Sequence, residues 1–246
     1  MFAFTAVPAP WATICQLLLI GVAALLIGGF VFNRYTTERL GRMPKLTELP
    51  QSVLLIALAV IVWLAAAQGT SLATLGLLVA IGMTLGFVGD LFMANVFRQE
   101  NHVLFGMLAF AAGHVCYMLG FREIAVHFGL HDLSRYALAL VLTWGIALVL
   151  WFTLIRKPGG DVMQYAALGY ALFLASMAGF ALGLAFQQGA FLPLAAGALS
   201  FLLSDALIAA RLFADRQFPY MGDVIWATYI LAQALIVTAV PVALAL

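Results

Sequence analysis

Two aspartates lie inside long apolar stretches of this sequence. Asp90 lies within residues 72–97 and Asp205 within residues 190–213, and each stretch is long enough to cross a bilayer. A charged side chain at the centre of a membrane helix costs about 2.5–3.5 kcal/mol on insertion scales, which makes such residues candidates for a functional site. We therefore predict that Asp90 and Asp205 carry the chemistry of this protein.

Two carboxylates that share a poorly solvated pocket can act as an acid and a base. Burial and mutual repulsion favour one protonated and one ionised group near neutral pH. Such a pair can protonate a substrate and activate water, as glycosidases do with two Asp or Glu residues. From the residues alone, two alternatives stay open: buried aspartates that order the helices through hydrogen bonds, and proton sites of a proton-coupled transporter.

The composition determines the class of protein that holds these residues. Hydrophobic residues make up 65% of the chain and charged residues 9%, whereas about a quarter of the residues are charged in soluble domains. The apolar stretches are too long and continuous for a membrane barrel. We predict one all-α integral-membrane domain over residues 1–246. Short loops and a net charge near zero give no indication of nucleic-acid binding.

Eight transmembrane helices are predicted to form a bundle. They cover residues 11–32, 53–67, 72–97, 103–121, 136–152, 162–186, 190–213 and 224–246. Asp90 precedes His114 by the same 24 residues that separate Asp205 from Tyr229, which suggests a 4+4 parallel repeat. The Gly82-x-x-x-Gly86 pattern predicts a close helix–helix contact beside Asp90.

The distribution of Lys and Arg predicts the orientation of the bundle. With both termini outside, nine of these residues lie in inside loops and two, Arg122 and Arg135, lie in outside loops. The nine are Arg34, Arg39, Arg42, Lys45, Arg98, Arg156, Lys157, Arg211 and Arg216. Asp90 and Asp205 then both lie roughly 10 Å inside the cytoplasmic leaflet, which is that of the inner membrane if the protein is bacterial.

Several polar residues share these spans and are predicted to orient substrate, water or the carboxylates. Pairs three or four apart, such as His114 with Tyr117 and Tyr229 with Gln233, lie on one helix face. The complete set of these candidates is Asn95, His114, Tyr117, Tyr165, Ser204, Tyr229 and Gln233.

No metal or other cofactor is predicted. Cys15 and Cys116 lie within spans and are interpreted as small buried apolar residues. His127 and His131 are predicted to lie in a solvated outer loop, away from the aspartates.

Short motifs around these residues resemble the YhhN family of multi-pass membrane proteins. The motifs are LGFVGDLFM at 85–93, GHVCY at 113–117, residues 165–177, GALSFLLSD at 197–205 and YILAQ at 229–233. They occur in the family's order over most of the chain. The Lys-Pro pair that such proteins carry before the second span is reversed here as Pro44-Lys45, so the resemblance assigns no role to Lys45.

The resemblance implies a membrane-embedded hydrolase that cleaves the vinyl ether bond of lysoplasmalogens, releasing a fatty aldehyde and a glycerophospho-ethanolamine or -choline. This implication fits the residues, because cleavage needs protonation of the β-carbon and addition of water to an oxocarbenium ion, which one acid and one base can perform. A lysophospholipid in the bilayer is then the expected substrate. A proton-coupled transporter and a non-catalytic lipid-binding protein are the alternatives.

Overall fold

The computed structural model describes residues 4–156, 159 and 162–246, with the side chains of residues 162 and 163 left aside. Lys157, one of the nine Lys and Arg residues predicted to lie in inside loops, is outside the described residues. The described part forms eight long helices, and each is long and apolar enough to cross a membrane. These are α1 Ala9–Phe32, α2 Lys45–Val62, α3 Ala73–Met93, α4 His102–Phe128, α5 Leu133–Leu150, α6 Val162–Gln187, α7 Leu192–Ala214 and α8 Met221–Leu244. The prediction of an all-α bundle of eight spans is confirmed.

Short turns of other helix types extend three of these helices. A π-helical turn, Trp63–Ala67, follows α2, and a second one, Trp151–Ile155, follows α5. A 3-10 turn, Gly189–Phe191, leads into α7. These turns lengthen the spans without breaking any of them near its middle.

Several helix boundaries differ from the prediction, and three of these differences change the position of residues named above. Helix α2 begins at Lys45 rather than at residue 53, because its first two turns, KLTELPQS, are polar and hydropathy does not detect them. Helix α3 ends at Met93 rather than at residue 97, and Asn95 follows with a left-handed φ of 53°. Helix α4 continues to Phe128, so His127 is helical rather than part of an outer loop.

Glycines bring α3 and α4 into backbone contact. A Cβ added to Gly82 would meet the Tyr117 ring and lie 3.1 Å from the Gly113 carbonyl oxygen. A Cβ on Gly113 would in turn lie 3.0 Å from the Gly82 carbonyl oxygen. Lipid chains are as apolar as leucine side chains, so close packing of this kind is a main source of helix association in membranes. The contact places the Tyr117 side chain inside the bundle.

The α1–α2 loop, residues 33–44, is attached to the ends of α7 and α8. The Asp223 carboxylate accepts hydrogen bonds of 2.8 and 2.9 Å from the Arg42 amide and one of 2.8 Å from the Met43 amide. The Gly222 amide donates to the Leu40 carbonyl at 3.0 Å. These bonds fix the loop over the end of the bundle at which α8 begins, where it forms one side of the cavity described below.

We expect Gly82→Ala to lower the melting temperature of the detergent-solubilised protein, because the added methyl group displaces the Tyr117 ring or separates α3 from α4. Gly145→Ala is the matched control, since a Cβ at Gly145 meets nothing within 4 Å. Differential scanning fluorimetry compares the two variants. An unchanged melting temperature for Gly82→Ala would show that the α3–α4 contact is looser than described.

Candidate functional site

Asp90 is held by donors from two other helices. It lies on α3 and is 6% exposed. Its Oδ2 accepts a hydrogen bond of 2.6 Å from the Ser52 hydroxyl on α2 and one of 3.0 Å from the Tyr229 hydroxyl on α8. Because a buried carboxylate is costly without donors, this pair of hydroxyls allows it to remain inside the bundle.

A chain of buried hydrogen bonds continues from Asp90 to α4. The Gln233 amide donates through Nε2 to the Tyr229 hydroxyl at 3.2 Å, and the Tyr117 hydroxyl donates to Gln233 Oε1 at 2.7 Å. Gly86 leaves the space for this amide, since a Cβ there would lie 2.7 Å from Gln233 Nε2. The network fixes which oxygen of Asp90 is bonded and how the Tyr229 ring lies.

Asp205 is held from a different side. The Tyr170 hydroxyl on α6 donates to its Oδ2 at 2.6 Å, and His114 Nε2 lies 3.4 Å from the same hydroxyl oxygen. Since Tyr170 has one proton and gives it to Asp205, its oxygen is the acceptor for a proton on His114 Nε2. The His114 ring is buried against the Phe201 ring, with centroids 4.7 Å apart. His114 Nδ1 has no hydrogen-bond partner in the described part of the chain.

Both aspartates line one cavity of about 500 Å³. Their described hydrogen bonds all end on Oδ2, which leaves the Oδ1 of each without a partner among the residues described and available to a ligand. Charged and aromatic side chains form the rest of the polar wall. They are Glu38, Arg39, Lys45, Glu48, Arg211, Trp226 and Tyr229.

A second, apolar cleft of about 50 Å³ lies between α4, α5, α6 and α7 and ends at Asp205. Its walls are almost entirely hydrocarbon. Ala167, Leu174 and Ala209 line it, whereas Asp90 does not. Five residues border both spaces, namely Met93, Phe110, Asp205, Ile208 and Leu212. Asp205 therefore lies where a charged cavity meets an apolar one.

The structure brings most of the predicted site residues together. His114 and Tyr117 join Tyr229 and Gln233 in the two networks around the aspartates. Ser204 is buried and lines the large cavity, but its hydroxyl donates to the Ile225 carbonyl at 3.0 Å rather than to an aspartate.

Two predicted residues lie apart from the cluster, which corrects their expected position. Asn95 is exposed in the turn after α3, and its side chain accepts from the Gln99 amide at 3.0 Å. Tyr165 is 60% exposed and packs beside Trp151. Asp90 lies three residues before the end of α3 and Asp205 nine residues before the end of α7.

Sequence reasoning missed four residues of the site. Ser52 and Glu48 lie on the polar first turns of α2, which were predicted to be loop. Tyr170 and Trp226 lie in apolar spans with no charged neighbour in sequence. A tyrosine in the middle of an apolar span is a signal that could have identified Tyr170, because its hydroxyl needs a partner inside the bundle.

Within the described residues, no three His, Cys, Asp or Glu side chains cluster closely enough to hold a metal ion. His127 Nδ1 lies 3.1 Å from the Ser71 hydroxyl, at the opposite end of α3 from Asp90.

Fold and site together define a multi-pass helical membrane protein with one buried and one partly buried carboxylate on a cavity of mixed polarity. A family model described as the YhhN family matches residues 46–240, and the chain belongs to this family. The protein named Lysoplasmalogenase TMEM86A from Homo sapiens is 28% identical over 158 residues, covering 63% of this chain. The match spans 62% of that relative's length. No solved structure matches the chain.

We expect Tyr117→Phe to lower the free energy of unfolding by about 1 kcal/mol, because Gln233 Oε1 then loses its donor inside the bundle. Tyr165→Phe is the control, since this side chain is largely exposed and outside the network. Unfolding in mixed detergent micelles, followed by circular dichroism, measures both. Equal values for the two variants would contradict the importance of the buried network.

Proposed function

We propose that this protein hydrolyses the vinyl ether bond of lysoplasmalogens, with Asp90 and Asp205 as the acid and base. The observation that carries the proposal is the shared cavity, in which two carboxylates from different helices each present one unbonded oxygen. Membership of the YhhN family and the similarity to a protein named as a lysoplasmalogenase support the reaction class.

The reaction needs one proton donor and one proton acceptor. The protonated carboxyl transfers its proton to the β-carbon of the vinyl ether, and the π electrons form the new C–H bond, leaving an oxocarbenium ion. The ionised carboxylate removes a proton from water as the water oxygen bonds to the α-carbon. As the resulting hemiacetal breaks its bond to the glycerol oxygen, the carboxyl protonated during hydration gives its proton to that oxygen, and the carboxylate left by the first step removes the hemiacetal hydroxyl proton. The aldehyde is released, and both carboxyl groups return to their initial states. The sum is one water consumed, one aldehyde and one alcohol formed.

The buried networks suit this chemistry, because they hold each carboxylate by Oδ2 alone. Ser52 and Tyr229 position Asp90, and Tyr170 positions Asp205. Each Oδ1 then has a fixed direction toward the cavity, and fixed geometry of the acid and base lowers the entropic part of the barrier.

The proposed site opens toward the cytoplasmic leaflet. Lys45 and Arg211 lie at the same end of the bundle as the cavity, and the bias of nine inside cations against two outside supports that end as cytoplasmic. A lysolipid with its headgroup at this surface would reach the aspartates from the membrane.

Proton-coupled transport is the second candidate, because the chain of bonds from Tyr117 through Gln233 and Tyr229 to Asp90 could carry a proton. Transport requires a sealed membrane and a gradient, whereas the hydrolase works in micelles. An activity assay in detergent micelles therefore distinguishes hydrolysis from transport.

We expect Asp90→Asn and Asp205→Asn each to reduce aldehyde release at least about 100-fold, because each removes a group that transfers a proton. Purified protein in detergent is incubated with alkenyl-lysophosphatidylethanolamine, and the products are measured by mass spectrometry. The acyl analogue is the substrate control and should yield no aldehyde.

Glu123→Gln is the matched control variant, since it makes the same change of carboxylate to amide at a side chain that pairs with Arg122 away from the cavity. Full activity of either aspartate variant would exclude the two-aspartate mechanism. No aldehyde from the folded unmodified protein would leave transport as the better proposal.

The orientation is tested with single cysteines in a Cys15→Ser, Cys116→Ser background. Gln99→Cys lies in the exposed α3–α4 loop and His131→Cys in the exposed α4–α5 loop. We expect a membrane-impermeant maleimide added to intact cells to label position 131 and not position 99. The reverse pattern would place the site in the outer leaflet.

A further inference from the structure

Three cations line the large cavity, namely Arg39, Lys45 and Arg211, and in the described part of the chain none of them has a carboxylate within ion-pair distance. Among the described residues the side-chain ion pairs are Arg122–Glu123 and Arg135–Asp132, both away from this cavity. Lys45 Nζ donates to the Ala94 carbonyl at 2.7 Å.

Arg211 donates to the backbone carbonyls of Glu38 at 2.7 Å and Arg39 at 3.3 Å. Backbone carbonyls thus accept the described hydrogen bonds of the Lys45 and Arg211 side chains, and the carboxylate nearest in sequence to Lys45, Glu48, interacts with it electrostatically without forming an ion pair. Each cation also keeps unused N–H donors, and a phosphate offers the acceptor oxygens that such donors fit.

A carboxylate and an indole lie on another part of the same wall. Glu48 is one helical turn after Lys45 on α2, is half-buried and has no ion-pair partner in the described part of the chain. The Trp226 indole lines the cavity and is fixed by a 3.3 Å hydrogen bond from its Nε1 to Gln51 Oε1. A carboxylate beside an aromatic ring is suited to bind an ammonium group.

The polar cavity and the apolar cleft share a wall of five residues that includes Asp205, so the two spaces together are amphipathic. One end is charged with both signs, and the other is lined by alanine, leucine and phenylalanine side chains. A molecule that matches the polarity of these two spaces has a zwitterionic head next to an apolar group.

We propose that the lysolipid lies across both cavities, with its phosphate between Lys45 and Arg211, its amine at Glu48 and the first carbons of its hydrocarbon chain in the cleft. This arrangement rests on the proposed function. It also assigns the two aspartates, because the β-carbon of a vinyl ether is on the chain side and the ether oxygen on the glycerol side. Asp205, at the mouth of the cleft, donates the proton to the β-carbon. Asp90, which lines only the polar cavity, accepts the proton of water.

Three alkenyl lipids that differ only in the headgroup test the arrangement: alkenyl-lysophosphatidylethanolamine, alkenyl-lysophosphatidic acid and alkenylglycerol. We expect Lys45→Gln and Arg211→Gln to raise KM at least about tenfold for both phosphate lipids and to leave alkenylglycerol unaffected. Glu48→Gln should raise KM for the ethanolamine lipid alone. Lys45→Arg should retain tight binding, since it keeps the charge.

Arg122→Gln is the matched control, because it removes an arginine outside both cavities. A KM that rises equally for all three lipids would mean that the cations stabilise the fold, and an unchanged KM would mean that they do not bind the headgroup. Either result overturns the proposed position of the lysolipid. Aldehyde release by the unmodified protein would still support the proposed hydrolysis. No aldehyde from any lipid with the unmodified protein overturns the proposed function itself.

The position of the lipid's hydrocarbon chain is tested by filling the cleft with a larger side chain. Ala209→Phe places a ring in the cleft one turn after Asp205, and Ala137→Phe makes the same change on an exposed face of α5. We expect Ala209→Phe to lower kcat/KM for long-chain substrates at least about tenfold more than for short-chain ones, and Ala137→Phe to leave the ratio unchanged. If Ala209→Phe leaves the ratio of kcat/KM between long-chain and short-chain substrates unchanged, the hydrocarbon chain lies outside the cleft.

Discussion

The hydrogen bonds that hold two carboxylates inside an apolar bundle are the constraint on which this structure depends. In a membrane interior no bulk water is present to solvate a carboxylate, so its donors must come from neighbouring helices. Asp90 on α3 receives them from Ser52 on α2 and Tyr229 on α8, and Asp205 on α7 receives one from Tyr170 on α6. The positions of these five helices around the cavity follow from that requirement.

Small residues make the arrangement possible. Tyr117 and Gln233 extend into the interior because Gly82 and Gly86 on α3 leave room for a ring and an amide. Larger side chains at those two positions would separate α3 from α4 and α8. The glycine strip that promotes helix contact therefore also creates the space for the polar network beside Asp90.

The sequence was sufficient to predict the eight spans and to place Asp90 and Asp205 within two of them, because hydropathy is averaged over many residues. The sequence was not sufficient to place residues whose position depends on the exact turn at which a helix ends. Residues 91–97 are apolar apart from Asn95, yet the helix ends at Met93 and Asn95 takes a left-handed φ. Val96 and Phe97 are each 51% exposed beyond that turn. Hydropathy counts those residues as span, so it misplaced Asn95.

In helix α6, the sequence could not show which of two tyrosines faces the site. Tyr165 and Tyr170 are five residues apart, which rotates them about 140° from each other, so both cannot face the same side. Since α6 is apolar around its whole circumference, nothing in the sequence marks the face that meets α7. The partner of Tyr170 is 35 residues away in sequence, and only packing brings Asp205 to it.

The two aspartates lie in different surroundings, because one face of helix α7 borders both the polar cavity and the apolar cleft. Asp205, Ile208 and Leu212 lie at spacings of three and four on one face of this helix, and all three border both the polar cavity and the apolar cleft. Asp90 borders the polar cavity alone. A lysolipid changes from charged to apolar within a few bonds, and its vinyl ether lies at that change. In the proposed reaction, the helix wall shared by the two spaces therefore places one carboxyl on each side of the bond that breaks.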